Sequence, residues 1–409
     1  MPGLVELIFD QLMPGQRGHL VEAIVRHLER KARVAFDCLD RLLDAQIQRK
    51  DCQVEFLAFL PVFVLPVVQA IQVQQAIYPP DGAQKSTGRV MKLLAKLIQL
   101  LPLNLTSGLQ ESASAAGMQA SLAEKAKQGL DFLKVFADNK IVTDYELIVP
   151  MKPGAALRLR DYQREGVNWM AVLGYYNLNC ALADDMGLGK TLQSLTVVLN
   201  ESEKIKRKQI AEHGSVVDRP VNLVICPTTL TFNWLHEVEK FFLDQKVAVI
   251  EGGPAERDLL LSSLHEYDVV IVNYEKVKSC LPAFLKQEFF YLVLDEAHKI
   301  KNSKSLITQS VKQLKASRKL VLSGTPLQNR VSELWSLFDF LMPDFLEEEA
   351  VFNKMYNKYL TGNIKKMQEK LEETESFIQA LKSLKRRIAP FILRRTKEQV
   401  LKELPPKVI

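Results

Sequence analysis

The sequence predicts two kinds of structure in one chain, an all-α segment in the first third and an α/β lobe in the remainder. Apolar residues in the first third recur at the helical spacing of three and four, as in Leu20, Ile24 and Leu28. From about residue 158, short β-branched runs alternate with helical patterns, which indicates a parallel sheet covered by helices on both faces. The length of 409 residues, 47% hydrophobic, suits roughly two or three ordinary cores.

Composition excludes several classes of protein. The five cysteines are scattered without a C-x-x-C pair, which argues against a zinc finger and favours a reducing compartment. Glu6 and Asp10 stand where a signal peptide requires positive charge. The apolar run Phe56–Val68 is too short to span a bilayer, and because Pro61 and Pro66 interrupt it we interpret it as a buried helix pair. The net charge of +6 permits phosphate contacts without requiring them.

The all-α segment is expected to cover residues 1–145. Its turn signals have a spacing compatible with helical pairs of about 40 residues, and they are Pro14-Gly15, Pro79–Gly82, Pro102 and Ser112–Gly117. A last helix is expected to begin at Ser121 and to run toward Asp138. The stretch 146–157 contains prolines and a glycine and is predicted to be a linker, so the α/β domain is expected to occupy 158–409.

Strands of the α/β domain are predicted from its β-branched runs. They are Val221–Ile225, Val247–Ile250, Val269–Val272, Leu292–Leu294 and Leu320–Leu322. Beyond them, Phe352–Leu384 is predicted to be a charged helical stretch with a solvated face.

The strongest chemical signal follows the apolar run Cys180–Ala183. It is the sequence Asp184-Asp185-Met186-Gly187-Leu188-Gly189-Lys190-Thr191, which matches the phosphate-loop pattern G-x-x-x-x-G-K-[ST] except that Asp184 replaces the first glycine. Gly187 and Gly189 would let backbone N–H groups turn toward phosphate oxygens. Lys190 would reach the terminal phosphates, and Thr191 would offer its hydroxyl to Mg²⁺. The alternative is a Gly-rich turn with a purely structural role.

A second signal, Asp295-Glu296-Ala297-His298, follows the strand that ends at Leu294. Asp295 would hold Mg²⁺ through water, and Glu296 would orient and deprotonate the attacking water. A third, Ser323-Gly324-Thr325, follows the next strand and could sense the γ-phosphate, although an ordinary turn is the simpler interpretation. Because the carboxyl ends of parallel strands share one edge of a sheet, the three signals together predict nucleoside triphosphate hydrolysis.

In this order the motifs resemble those of the SWI/SNF-type ATPases of helicase superfamily two, over about residues 158–409. The resemblance implies a RecA-like first lobe that binds ATP and Mg²⁺, with Asp184–Thr191 as motif I and Asp295–His298 as the DEAH box. It implies that Gln163 recognises the adenine base of ATP. It also implies that Ser323, Gly324 and Thr325 couple the state of the γ-phosphate to movement of the motor. It also implies that Thr228, Trp234, Asn273 and Tyr274, in motifs Ia and Ib, contact the backbone of duplex DNA.

Activity in this family requires a second lobe with arginine fingers. No motif of that lobe occurs in residues 1–409, so we expect this chain alone to bind ATP and to hydrolyse it hardly at all.

The junction before the lobe resembles that of a nuclear subgroup whose HEAT repeats grip TATA-box-binding protein while the motor removes it from DNA. It comprises Leu100–Leu103, a helix ending near Lys140 and the stretch Tyr145–Lys152. Three alternatives stay open: another chromatin remodeller, a repair ATPase, and a nucleotide-dependent binding module without turnover.

Overall fold

A computed structural model describes residues 14–48, 54–71, 89–100, 125, 129, 145–152, 159–324, 331–360 and 371–400. Several predicted features lie outside these residues: most of the helix expected from Ser121, the second half of the linker, Thr325, and the chain after Val400. No helix among the described residues is long and apolar enough to cross a membrane.

The described helices are numbered in chain order. They are α1 Pro14–Glu29, α2 Arg33–Gln48, α3 Val54–Ala70, α4 Arg89–Leu100, α5 Asp161–Tyr175, α6 Lys190–His213, α7 Thr231–Phe241, α8 Pro254–Ser262, α9 Tyr274–Phe284, α10 Leu306–Gln313, α11 Val331–Leu341, α12 Glu349–Leu360, α13 Leu371–Ile388 and α14 Lys397–Val400. The strands are β1 Cys180–Leu182, β2 Asn222–Cys226, β3 Val247–Val249, β4 Val269–Asn273, β5 Phe289–Leu294, β6 Ala316–Leu322 and β7 Ile392–Leu393.

The seven strands form one sheet in the order β3-β4-β2-β5-β6-β1-β7, and all of its pairs are parallel. The five predicted strands are therefore confirmed, with ends that differ by a few residues. Two strands are not among these five: β1 coincides with the apolar run Cys180–Ala183 before the phosphate loop, and β7 was not predicted, because Ile392–Leu393 is too short to show a pattern.

Both faces of the sheet are covered. Every residue of β2 and β4 is buried, although neighbouring side chains of a strand point to opposite faces. A strand buried on both faces needs apolar residues at every position, which explains the runs Leu-Val-Ile and Val-Val-Ile-Val in the sequence. The predicted parallel sheet with helices on both faces is confirmed.

The chain divides into two compact units. One unit contains Met1–Asn139 together with Met342–Pro390, and the other contains Lys140–Leu341 together with Phe391–Ile409. The sheet belongs entirely to the second unit. These units do not coincide with the boundaries 1–145, 146–157 and 158–409, which stay predictions.

In the first unit, helix α4 lies in contact with α2, α3 and α13. The ammonium of Lys96 pairs with Asp40 at 2.5 Å and with Asp44 at 2.7 Å, and Lys92 pairs with Glu347 at 3.0 Å. The last of these pairs joins an amino-terminal helix to the stretch between β6 and β7. A HEAT-type arrangement of these helices stays a prediction.

One sequence interpretation of this unit is wrong and another agrees with the structure. Val54–Ala70 is one helix and not a helix pair, with Pro61 and Pro66 inside it; its residues 59–64 are all buried, and this apolar burial offsets the backbone hydrogen bonds that proline removes. The predicted charged stretch Phe352–Leu384 is helical where the structure describes it, in α12 and α13, and most of its described residues are exposed or half-buried, while Phe352 and Leu384 are buried.

The described part of the predicted linker, 146–152, belongs with residue 145 to the second unit. The amide oxygen of buried Asn200, in α6, accepts the N–H groups of Ile148 at 2.6 Å and Val149 at 3.0 Å. Its Nδ2 donates to the carbonyl of Glu146 at 2.9 Å. One side chain therefore satisfies three backbone groups of a segment that lacks secondary structure of its own.

We expect Asn200→Ala to lower the free energy of unfolding by about 2 to 4 kcal/mol, because it leaves the buried N–H of Val149 and the half-buried N–H of Ile148 without a partner. Segment 145–152 should also become a site of early protease cleavage. The measurements are denaturant unfolding and limited proteolysis of residues 1–409. Lys208→Ala, at an exposed position of the same helix, is the control, and equal behaviour of the two variants would contradict the assignment.

Candidate functional site

The three predicted signals follow strands that are neighbours in the sheet. Strand β6 pairs with β1 on one side and with β5 on the other, and all three run in the same direction. The loops after their carboxyl ends, at Ala183, Asp295 and Ser323, therefore meet at one edge, where ligands of such sheets bind.

Glycine is required at two positions of the phosphate loop. Gly187 has φ +84° and Gly189 has φ +76°, a left-handed conformation that other residues adopt at a cost. An added Cβ at Gly189 would also lie 2.5 Å from Nε2 of Gln163. The loop ends there, and α6 begins at Lys190 with its first N–H groups directed at the edge of the sheet.

Lys190 is half-buried beside its own loop. Its Nζ donates to the carbonyls of Asp184 at 2.8 Å and Asp185 at 3.3 Å. Burial lowers the pKa of Lys190, against the attraction of Glu296 and Asp184. Such a cation is the natural partner of a phosphate, which would replace two neutral carbonyls by charged oxygens.

Gln163 supports this loop from helix α5. It is 9% exposed, its Nε2 donates to the carbonyl of Leu188 at 3.2 Å, and its Oε1 accepts the N–H of Arg160 at 3.0 Å. Both ends of the amide are thus engaged within the protein. Its reading of adenine stays a prediction.

Asp184 is the first residue of the predicted nucleotide-binding loop, and its side chain is held within the protein. Its carboxylate is fully buried and accepts two hydrogen bonds from the guanidinium of Arg395, from Nε at 3.0 Å and from Nη2 at 2.6 Å. The carboxylate therefore faces the protein interior, where it supports the loop, and the assignment of Asp184 to the nucleotide-binding residues stays a prediction. Leu188 is likewise fully buried, so it can contribute only backbone groups, whereas Met186 is 67% exposed at the surface of the loop.

The DEAH box places two carboxylates in different surroundings. Asp295 is 6% exposed. Its carboxylate accepts a hydrogen bond from Nε1–H of Trp234 at 2.9 Å and another from the backbone N–H of Glu296 at 2.9 Å. Burial raises the pKa of Asp295, and the Trp234 hydrogen bond opposes that rise. Glu296 is more accessible and lies 3.2 Å from Nδ1 of His298, while Ala297 is buried beneath them.

Glu296 has a strained backbone. Its φ of 51° and ψ of 54° lie in the left-handed region, which costs a residue with a side chain about 1 kcal/mol or more. This conformation ends β5 abruptly and starts the short 3-10 helix Ala297–Ile300. Its carboxylate consequently stands at the edge of the sheet.

Gly324 shows that the three loops converge. An added Cβ at this residue would lie 3.4 Å from Nζ of Lys190 and 3.5 Å from Oε1 of Glu296, and 2.8 Å from Cγ of Met186. Ser323 is buried beside it and donates its N–H to the carbonyl of Leu182 at 3.2 Å. The lysine, the glutamate and the third loop thus surround one small volume.

Mg²⁺ fits the oxygen groups at this edge. Thr191 offers a hydroxyl and Asp295 offers two carboxylate oxygens, and hard oxygen ligands are those that Mg²⁺ takes. Each oxygen of Asp295 accepts one hydrogen bond and has capacity for another, so a metal-bound water can be held.

The four predicted DNA-contact residues are not equivalent. Trp234 is 1% exposed and Tyr274 is fully buried, so neither side chain lies at the surface of this structure, and a DNA contact by these two residues stays a prediction. They support Asp295, since the Tyr274 hydroxyl donates to its carbonyl at 2.8 Å. Asn273 is also buried and caps helix α9 by accepting the N–H of Lys276 at 2.9 Å. Thr228 alone of these four is exposed.

Sequence reasoning missed Arg395 and Gln193. Gln193, in α6, donates to the carbonyl of Leu188 at 3.1 Å and accepts Nη2 of Arg395 at 2.9 Å. One signal was available: an aspartate directly after a buried strand requires a cationic partner. The sequence offers many cations, however, and spacing does not select Arg395 among them.

Comparison with known proteins yields consistent matches. The family described as SNF2-related domain matches residues 162–409. TATA-binding protein-associated factor MOT1 of Saccharomyces cerevisiae is 38% identical over 347 residues, covering 85% of this chain and 18% of that protein. TATA-binding protein-associated factor 172 of Homo sapiens is 36% identical over 356 residues, covering 86% of this chain and 18% of that protein. This chain therefore spans about a fifth of the length of these relatives.

A solved structure also matches. It is the Sulfolobus solfataricus SWI2/SNF2 ATPase core in complex with dsDNA, which is 32% identical with a TM-score of 0.50 and covers 64% of this chain and 49% of that one.

We expect Trp234→Phe to raise the Mg²⁺ concentration needed for half-maximal binding of an ATP analogue by about tenfold, since loss of a hydrogen bond that orients a metal ligand has effects of that size. Titration of Mg²⁺ against a fluorescent analogue measures this. Trp169→Phe, at another fully buried tryptophan, is the matched control. Identical Mg²⁺ dependence in both variants would refute the role assigned to Trp234.

Proposed function

The chain belongs to the SNF2-related family, and from that membership we propose that its α/β lobe is the ATP-binding half of a DNA-dependent ATPase that removes TATA-binding protein from DNA. One observation carries the enzymatic part of the proposal. A Cβ added at Gly324 would lie 3.4 Å from the ammonium nitrogen of Lys190 and 3.5 Å from a carboxylate oxygen of Glu296, so these two groups face the same small space. A γ-phosphate held by the lysine would present its attacking water to the glutamate.

Each site residue has a task in this proposal. The loop N–H groups and Lys190 bind the phosphates, Thr191 and Asp295 hold Mg²⁺, and Glu296 accepts the proton of the attacking water. Mg²⁺ supplies charge stabilisation of the transferred phosphoryl group when it is bound. Gln163 is proposed to change partner from the Leu188 carbonyl to adenine.

Contact with duplex DNA is proposed for the exposed start of motif Ia. Thr228 opens a short 3-10 helix that leads into α7, and its hydroxyl donates to Glu275 of α9 at 3.2 Å. A phosphate of the DNA backbone could accept a hydrogen bond from the Thr228 hydroxyl in place of Glu275. The solved relative that contains dsDNA supports this assignment.

The identity of the displaced protein is supported by the extent of the matches. An alignment of 347 residues with a TATA-binding protein-associated factor is longer than the matched family domain at 162–409, so it extends into the amino-terminal helices. We propose that these helices contribute to gripping TATA-binding protein, as helical repeats commonly bind partners along their surface. Nuclear localisation follows from the same proposal.

We expect Lys190→Ala to weaken binding of a fluorescent ATP analogue to residues 1–409 by about 100-fold, because charge-assisted hydrogen bonds to phosphate are lost. Glu296→Gln should bind the analogue as the parent chain does, since it keeps the shape and alters only the proton acceptor. Equilibrium titration of the three proteins measures this. Undiminished binding by Lys190→Ala would refute the nucleotide site.

For the protein partner, we expect TATA-binding protein to slow amide hydrogen exchange of residues 1–409 within helices of 14–100. The Lys190→Ala variant should show the same protection, because its change lies in the other unit. Hydrogen exchange with and without TATA-binding protein measures both. Absence of protection in 14–100 would refute the proposed grip and leave the nucleotide site unaffected.

A further inference from the structure

The segment Ile392–Lys397, here called the exit segment, runs along the first half of the phosphate loop. Strand β7 pairs in parallel with β1, and the pairing continues beyond both strands. The N–H of Ala183 donates to the carbonyl of Leu393 at 2.7 Å, and the N–H of Asp185 donates to the carbonyl of Arg395 at 3.0 Å. The N–H of Lys397 then donates to Oδ2 of Asp185 at 3.1 Å.

Arg395 adds a charged contact to this backbone pairing. Its guanidinium donates hydrogen bonds to both carboxylate oxygens of Asp184. The backbone N–H of Arg395 also donates to Oδ1 of Asp184, at 3.1 Å. Arg395 is 8% exposed and Asp184 is fully buried. Arginine suits this geometry because its planar fork matches a carboxylate in two parallel bonds, which a lysine cannot reproduce.

The same guanidinium reaches the groups that orient the loop. Its Nη1 donates to the carbonyl of Tyr162 in α5, and its Nη2 donates to Oε1 of Gln193 at 2.9 Å. Fixed in this way, Gln193 donates to the carbonyl of Leu188, which also accepts the Tyr162 hydroxyl and Gln163.

The orientation of the Leu188 carbonyl decides where the next N–H points. In a trans peptide the C=O of Leu188 and the N–H of Gly189 point in opposite directions. Donors that hold the carbonyl toward α5 and α6 therefore turn the Gly189 N–H toward the open side of the loop. N–H groups on that side are the ones that bind phosphate oxygens.

We propose that Arg395 is a positioning residue of the nucleotide site, which sets the phosphate loop through Asp184 and Gln193, and that nucleotide binding in turn orders the exit segment. This inference rests on the proposed nucleotide site. The second part follows from the first, because a segment whose arrangement changes the affinity for a ligand is itself stabilised when the ligand binds. The exit segment thus carries the state of the loop to whatever follows Lys397.

The test compares three forms of residues 1–409: the parent chain, Arg395→Lys and the matched control Arg394→Lys at the neighbouring exposed position. Binding of a fluorescent Mg²⁺-ATP analogue is titrated, and hydrogen exchange of the exit segment is followed with and without analogue. We expect Arg395→Lys to weaken binding by about tenfold, because the charge remains but the two-bond fork is lost. The analogue should slow exchange of the exit segment in the parent and in Arg394→Lys, and much less in Arg395→Lys.

The exchange measurement separates positioning from general damage, because a merely destabilised lobe would still respond to bound analogue. If Arg395→Lys loses cooperative unfolding, the double variant Asp184→Asn with Arg395→Gln takes its place, since it removes both buried charges together and keeps hydrogen-bonding groups. Parent-like affinity and parent-like protection in the Arg395 variant overturn this inference alone. Failure of the parent chain to bind the analogue overturns the proposed function and this inference with it.

Discussion

The proposed nucleotide site is built beside one buried ion pair, Asp184 with Arg395. A carboxylate removed from water costs several kcal/mol unless a cation and hydrogen bonds replace its solvation, and here both oxygens are engaged by one guanidinium. The pair adds little net stability in such a setting, yet loss of either member leaves the other charge buried. Its effect is to select one arrangement, in which the last strand of the sheet lies beside the first.

This arrangement joins residues far apart in the chain, since 211 positions separate the two partners. The phosphate loop comes early in the lobe, but its support is complete only when the end of the lobe has returned to β1. Contacts of such long separation form late in folding, because their loop entropy is lost before they contribute energy. Nucleotide binding should therefore be among the last properties that the folding lobe acquires.

The sequence allowed prediction of most of the sheet and of the reactive groups, for a physical reason. Buried parallel strands need β-branched runs, and phosphate binding needs glycines with φ above zero before a lysine, so both leave local patterns. Strand β7 and the partner of Asp184 leave none, because two residues show no period and a buried pair is defined only in three dimensions. The burial of Trp234 was missed for a similar reason, since an aromatic residue on a helix can face either DNA or the core.

Asp295 shows how the supporting residues connect the two faces of the lobe. Its carboxylate is bonded to Trp234 of α7 and its carbonyl to Tyr274 of α9, and these two helices are also joined at their exposed starts by Thr228 and Glu275. A movement of either helix, caused by a ligand at that exposed end, would reach the carboxylate through rigid aromatic side chains. The next residue, Glu296, has a left-handed backbone and donates its N–H to the Asp295 carboxylate, so the displacement would continue to it. Buried residues of motifs Ia and Ib can therefore affect hydrolysis without touching DNA or nucleotide, and a mutation that removes their hydrogen bonds should not be interpreted as the loss of a DNA contact.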